Sequence, residues 1–167
     1  MSALALGASM GWRPGRAAAT APLRVARHLR AAPATAFAAW LDPAVARRWL
    51  FATATAPLAA ADIDPRVQGA FRFAAHRDGR LREHLGTYLE IVPPWRLAFT
   101  LHLAAPEPAV TRVAVAVAPR RRGCTLTVLH EGLPRAAARG MRERWIGMLY
   151  GLAATLADGT APSRSER

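Results

Sequence analysis

Five histidines, one cysteine and eleven acidic residues carry most of the acid–base and ligand chemistry open to this 167-residue chain. His28, His76, His84, His102 and His130 form neither a His-x-His nor a His-x-x-x-His pair, the spacings that bring two imidazoles to one zinc ion. Cys124 stands alone, so an intrachain disulfide and a cysteine-built metal cluster are both excluded. No metal and no cofactor is expected. Ser2, Ser9, Ser163 and Ser165 all lie near the termini, which argues against a serine nucleophile. No glycine-rich phosphate loop of the required spacing occurs.

His130 is the polar residue that stands out. It follows Leu126 and Val128 at alternate positions, and strand parity turns all three toward one apolar face. A partly buried imidazole there could act as a general base or a ligand donor. It could equally hydrogen-bond backbone carbonyls and lock the strand-to-helix corner, since buried polar groups are mostly satisfied within the fold. Glu131 points the other way, toward solvent or a local cap. His102, between Leu101 and Leu103, faces outward by the same parity. Cys124 sits in an alternating pattern and reads as a small packed side chain.

The elements that must position His130 follow from periodicity. From His130 to Leu156, Met141, Trp145, Met148, Leu149, Leu152 and Leu156 fall on one face of an α-helix. Gly132 breaks the chain before it, Pro134 suits its first turn and Asp158-Gly159 its stop. Upstream, Leu23, Val25, Arg27 and Leu29 alternate as a half-buried strand. Two short helices meet at the Asp42-Pro43 corner and carry Phe37, Trp40, Leu41, Val45, Trp49 and Leu50. Strands are then expected near Leu58–Ile63, around Phe71 and Phe73, and from Leu81 to Val92 with a bend at Gly86. Three more run through Leu97–Leu103, Val113–Val117 (ended by Pro119) and Leu126–His130. Asp78-Gly79 is a strong hairpin signal, and Arg120 to Gly123 a basic hairpin loop. Strands in series with helices at both ends describe an α+β domain, a curved antiparallel sheet of six to seven strands around a long C-terminal helix. The domain is placed at residues 22–158, with disordered tails at 1–21 and 159–167.

The charge balance points toward anions: 23 basic against 11 acidic residues, a net +12. Every basic side chain counted there is Arg, and the chain lacks Lys and Asn. Arg scattered over tails, loops and helix is read as composition drift; no specific nucleic-acid site is expected, and no apolar run reaches the roughly 20 residues of a membrane span. A lone cysteine fits a cytoplasmic location.

Five landmarks in order resemble the START-like (SRPBCC) superfamily, most closely the domain family named after the activator of Hsp90 ATPase. They are Ala32-Pro33 with Phe37 to Pro43, Arg48-Trp49, Gly69 to Phe73, Gly86 to Leu97 continuing to Phe99-Thr100, and Leu126 to Pro134 with Trp145 to Leu149. The chain departs from the pattern at Trp49-Leu50 (often Trp-Trp), at Gln68-Gly69 (often Gly-Gly) and at a helix start without acids. The resemblance implies a helix-grip fold with an elongated apolar cavity between sheet and long helix. Members bind lipids or other hydrophobic molecules, a few are enzymes, and some assist Hsp90. Under that reading the cavity-lining residues are Phe37, Trp40, Trp49, Phe71, Phe73, Phe99, Val115, His130, Trp145, Met148 and Leu149. The partner is a small hydrophobic molecule, and no catalytic residue is assigned. A co-chaperone-like interaction module, a cyclase- or hydrolase-type enzyme using His130, and a homodimer stay open as alternatives.

Overall fold

Seven antiparallel strands form one curved sheet in the order β1-β7-β6-β5-β4-β3-β2, with a 25-residue helix against it. The computed structural model describes residues 21–53, 58–104 and 108–159. Of the tails expected at 1–21 and 159–167, residues 1–20 and 160–167 lie outside the described residues, and Gly159 belongs to the last helix. The elements are β1 (Leu23–Leu29), α1 (Pro33–Ala38), α2 (Pro43–Ala46), β2 (Leu58–Ile63), β3 (Ala70–Arg77), β4 (Arg80–Val92), β5 (Arg96–Leu103), β6 (Ala109–Arg120), β7 (Gly123–Glu131) and α3 (Arg135–Gly159). The helix-grip fold expected from the sequence is what forms.

Local chemistry explains the corners. Asp42 caps α2 by accepting the Ala44 N–H at 2.9 Å, and Pro43 occupies the turn where its missing donor costs nothing. The short helices are tied together where the Trp49 indole N–H donates to the Ala39 carbonyl at 3.1 Å. Asp78 and Gly79 take φ of 52° and 70°, the two left-handed residues of a tight hairpin, and so set Arg77 opposite Arg80. At Gly86 a Cβ would collide with the Thr100 carbonyl and the Phe71 ring, so only glycine lets β4 pass there. The irregularity in β4 lies a little further on, where pairing with β5 shifts between Tyr88 and Glu90.

Two boundaries differ from expectation. Pro119 does not end β6: it pairs opposite Cys124 near the end of the ladder, where a missing donor is tolerated, and Arg120 pairs with Gly123. The basic hairpin loop shrinks to Arg121 and Arg122. On α3 the buried residues are Met141, Trp145, Met148, Leu149, Leu152 and Thr155, while Leu156 is only partly covered. Asp158 and Gly159 are still helical, and any stop falls at the edge of the described residues.

The core lies between the concave face of the sheet and α3. β7 alternates strictly, burying Cys124, Leu126, Val128 and His130. Among the described residues no helix is long and apolar enough to cross a membrane.

Candidate functional site

The eleven residues expected to line a cavity are all buried, none more than 7% exposed. Most of their rings meet in one aromatic body. Trp40 packs edge-on against Trp49 with centroids 4.7 Å apart and lies 6.2 Å from Phe99 and 6.1 Å from Trp145. Phe71 joins it through Phe99 at 5.3 Å and Phe73 at 5.7 Å. Rings at these separations are in mutual contact, so this part of the interior is filled with side chains.

His130 is sealed inside that body, with no exposed surface. The Trp145 indole N–H donates to its Nδ1 at 3.1 Å, which fixes Nδ1 as the acceptor. The ring proton is therefore on Nε2, which donates to Thr111 Oγ1 at 2.7 Å, and the Thr111 hydroxyl donates to the Leu101 carbonyl at 3.0 Å. Every proton in this relay has one acceptor. Burial pushes the His130 pKa down from 6.5 to about 4, so the ring is neutral at physiological pH. The structural role weighed for His130 is the one the geometry supports, although its partners are side chains rather than backbone carbonyls. An imidazole with both nitrogens occupied and no route to solvent has no free position for a substrate. Glu131 is not left to solvent: it accepts from its cross-strand neighbour Arg112 at 2.7 Å. His102 is exposed on the outer face, as parity requires.

Open space lies beside the aromatic body. A half-open pocket of about 330 Å³ is walled by Phe51, Ala52 and Thr53 after α2, by Arg77 and His84 of the β3–β4 hairpin, and by Leu101. Its remaining wall is α3, through Gly140, Met141, Glu143, Arg144, Gly147 and Met148. Of the eleven expected residues only Met148 reaches it. A Cβ built on Gly140 or Gly147 meets nothing within 4 Å, so the helix surface there is bare. Phe51 holds the opposite wall in a left-handed backbone conformation, φ 57°, uncommon for a bulky side chain. Its N–H donates to the Met148 sulfur at 3.2 Å, and its ring stacks on His84 at 4.4 Å and 11°.

His84 resembles His130 in titration and differs in partners. Its pKa also falls from 6.5 to about 4, first through burial and then through the charges of Arg144 and Arg77. Its Nδ1 is buried without a hydrogen-bond partner. Arg144 is itself lowered, by partial desolvation and by Arg77. Sequence reasoning passed over these residues because their neighbours disguise them: His84 lies between Glu83 and Leu85, and Arg144 lies off the apolar stripe. The two glycines seven residues apart inside a helix were the available signal, since each costs helix stability that alanine would supply. Among the described residues no group of three or more His, Cys, Asp or Glu side chains could hold a metal ion.

The fold recurs in solved structures. One from Chromobacterium violaceum is 29% identical, aligns over 80% of this chain and 94% of its own, and has a TM-score of 0.73. A Rhizobium leguminosarum structure is 25% identical over 84% and 97%, with a TM-score of 0.71. The AHSA1-like protein of Aeromonas hydrophila, solved by NMR, is 17% identical over 88% and 99% with a TM-score of 0.73, a likeness of fold alone. Comparison with curated proteins finds no match. The family model described as "Activator of Hsp90 ATPase homolog 1-like protein" matches residues 30–157, most of the chain and every described element from α1 to the last turns of α3. With the helix-grip fold in place around that match, the chain belongs to the Hsp90-ATPase-activator-homolog-1-like family.

Proposed function

We propose that this protein binds a small hydrophobic molecule in the pocket between α3, the β3–β4 hairpin and the segment after α2. The observation that carries the reading is the bare helix wall at Gly140 and Gly147, flanked by Met141 and Met148 on the same helix and lining one hollow with Phe51 and Leu101. A mostly apolar hollow with a few polar groups at its rim is the usual form of a small-molecule site. Met141 and Met148 can adapt to ligands of varied outline. The sealed His130 relay weighs against an enzyme working through that residue. A buried free Cys124 suits a reducing compartment such as the cytoplasm.

The test uses Nile red, a neutral apolar dye, with native mass spectrometry of the freshly purified protein. Saturable dye fluorescence is expected for the wild type and its loss in Gly147→Leu, whose side chain enters the pocket from an unobstructed helix position. Far-UV circular dichroism should be the same for both. Equal uptake by the two proteins would place the dye elsewhere and remove this reading. Absence of any uptake would favour a protein-docking role instead.

A further inference from the structure

We infer that the occupant of this pocket carries an anionic oxygen head, a carboxylate or a phosphate, on a short apolar body, with the head held between Arg77 and Arg144. The inference rests on the reading that the pocket binds a small apolar molecule, and it adds the chemistry of one end of that molecule.

Two arginines, Arg77 and Arg144, line one small hollow together with the apolar Phe51, Leu101, Met141 and Met148. Arg77 is the last residue of β3, fixed by the Asp78-Gly79 turn, and Arg144 rises from α3 between the two bare glycines. Neither forms an ion pair among the described residues, a state they share with other arginines of the chain; what sets them apart is that both line the same hollow. Glu143 is the acid on the lining, and it lies 3.7 Å from Arg139, its neighbour one helical turn away. The two cations feel each other: the charge of Arg77 is one of the causes that lower the pKa of Arg144. Like charges held together beside apolar side chains disfavour the empty pocket, and one anion relieves both. A guanidinium presents paired N–H donors that match the two oxygens of a carboxylate or phosphate. His84 lines the same hollow, its ring stacked on Phe51. At about 330 Å³ the space suits a single short chain or one ring system rather than a two-chain lipid.

Decanoate, decyl phosphate and decanol share one apolar body and differ in the head. Displacement of Nile red from the wild type should show at least one of the two anions binding about tenfold or more tighter than decanol, the worth of one charge-assisted hydrogen bond. Which anion leads identifies the head. In Arg77→Gln/Arg144→Gln the anions should fall to the affinity of decanol, while decanol itself is unchanged. Arg121→Gln/Arg122→Gln removes the same net charge from the exposed β6–β7 loop and should keep the preference, which separates a local head site from general attraction to a basic protein. If decanol competes as well as both anions, or if the loop variant loses the preference equally, the anionic head is wrong while the apolar pocket stands. If neither dye nor any decyl compound binds, the pocket reading fails, and this inference with it.

Discussion

Two adjoining parts of the sheet–helix interior contain two histidines in nearly the same electrostatic state and in opposite chemical situations. His130 and His84 are both held neutral, each with its pKa lowered to about 4 mainly by burial. Around His130 the space is filled: Trp145, Thr111 and the Leu101 carbonyl use every donor and acceptor. Around His84 the space is half open, one nitrogen is unpartnered, and two arginines stand nearby without acids. Burial alone therefore says little about function. An unsatisfied polar atom is not a sufficient sign either, since the Trp40 indole nitrogen in the filled body also lacks a partner; His84 differs in standing beside open space and two arginines.

The contrast breaks most severely at Trp145. Its ring belongs to the aromatic body, and its N–H anchors the His130 relay. Trp145→Ala should cost roughly 3–5 kcal/mol, the range for deleting a buried aromatic. Trp145→Phe keeps much of the ring and leaves His130 Nδ1 without its donor, so about 1–3 kcal/mol is expected. Chemical denaturation of the two variants measures both. No loss in Trp145→Phe would mean that the indole N–H contributes nothing and that the relay is incidental.

Acid should distinguish the two histidines next. The unfolded chain takes a proton on each imidazole near pH 6.5, whereas the folded protein resists until about pH 4. Between those values the unfolded state binds more protons, so stability is full above pH 6.5 and is lost as the pH falls toward 4. For the fully buried His130 the interval corresponds to about 3 kcal/mol, at about 1.4 kcal/mol per pH unit. Its shift has burial as its cause, so added salt should leave it in place. The shift of His84 includes the charges of Arg144 and Arg77 at a half-open mouth. Raising salt to about 1 M shortens the screening length to about 3 Å and should move the His84 pKa upward. NMR titration of the ring protons at low and high salt reads each histidine separately. A parallel response would show that the two environments are the same.

The frame of the molecule was legible because it is repetitive. Alternation in β7 placed His130 beside Leu126 and Val128 on the buried face, and Asp78-Gly79 marked a tight hairpin from two residues alone. The pocket was not legible because its walls come from three separated segments and from residues that break local pattern. Phe51 adopts a left-handed backbone conformation that its side-chain type gives no reason to expect. Arg144 looks like an ordinary exposed helix residue until the β3–β4 hairpin brings Arg77 toward it. The family likeness directed attention to the large aromatics, and those are the residues that pack together. The hollow forms where side chains are missing, at glycines.

That point allows the mildest test, and the most specific. A glycine inside a helix normally costs about 0.5–1 kcal/mol relative to alanine, and no packing constraint opposes a methyl group at Gly140 or Gly147. Gly140→Ala and Gly147→Ala should therefore each raise stability by up to about 1 kcal/mol, while Nile red uptake weakens as the side chain at 147 grows from Ala to Leu. Gly151 supplies the comparison from the filled part, where a Cβ would lie 3.6 Å from the Trp49 Cβ in ordinary contact. Gly151→Ala should be neutral or stabilising and should leave dye uptake unchanged. Thermal melts and dye titrations on the three variants separate the outcomes. Stabilisation with lost uptake at 140 and 147 alone means that those glycines keep the wall bare at the expense of the helix, as a binding site requires. Destabilisation at either position would mean that the wall is already in contact with its neighbours, leaving both parts of the interior filled.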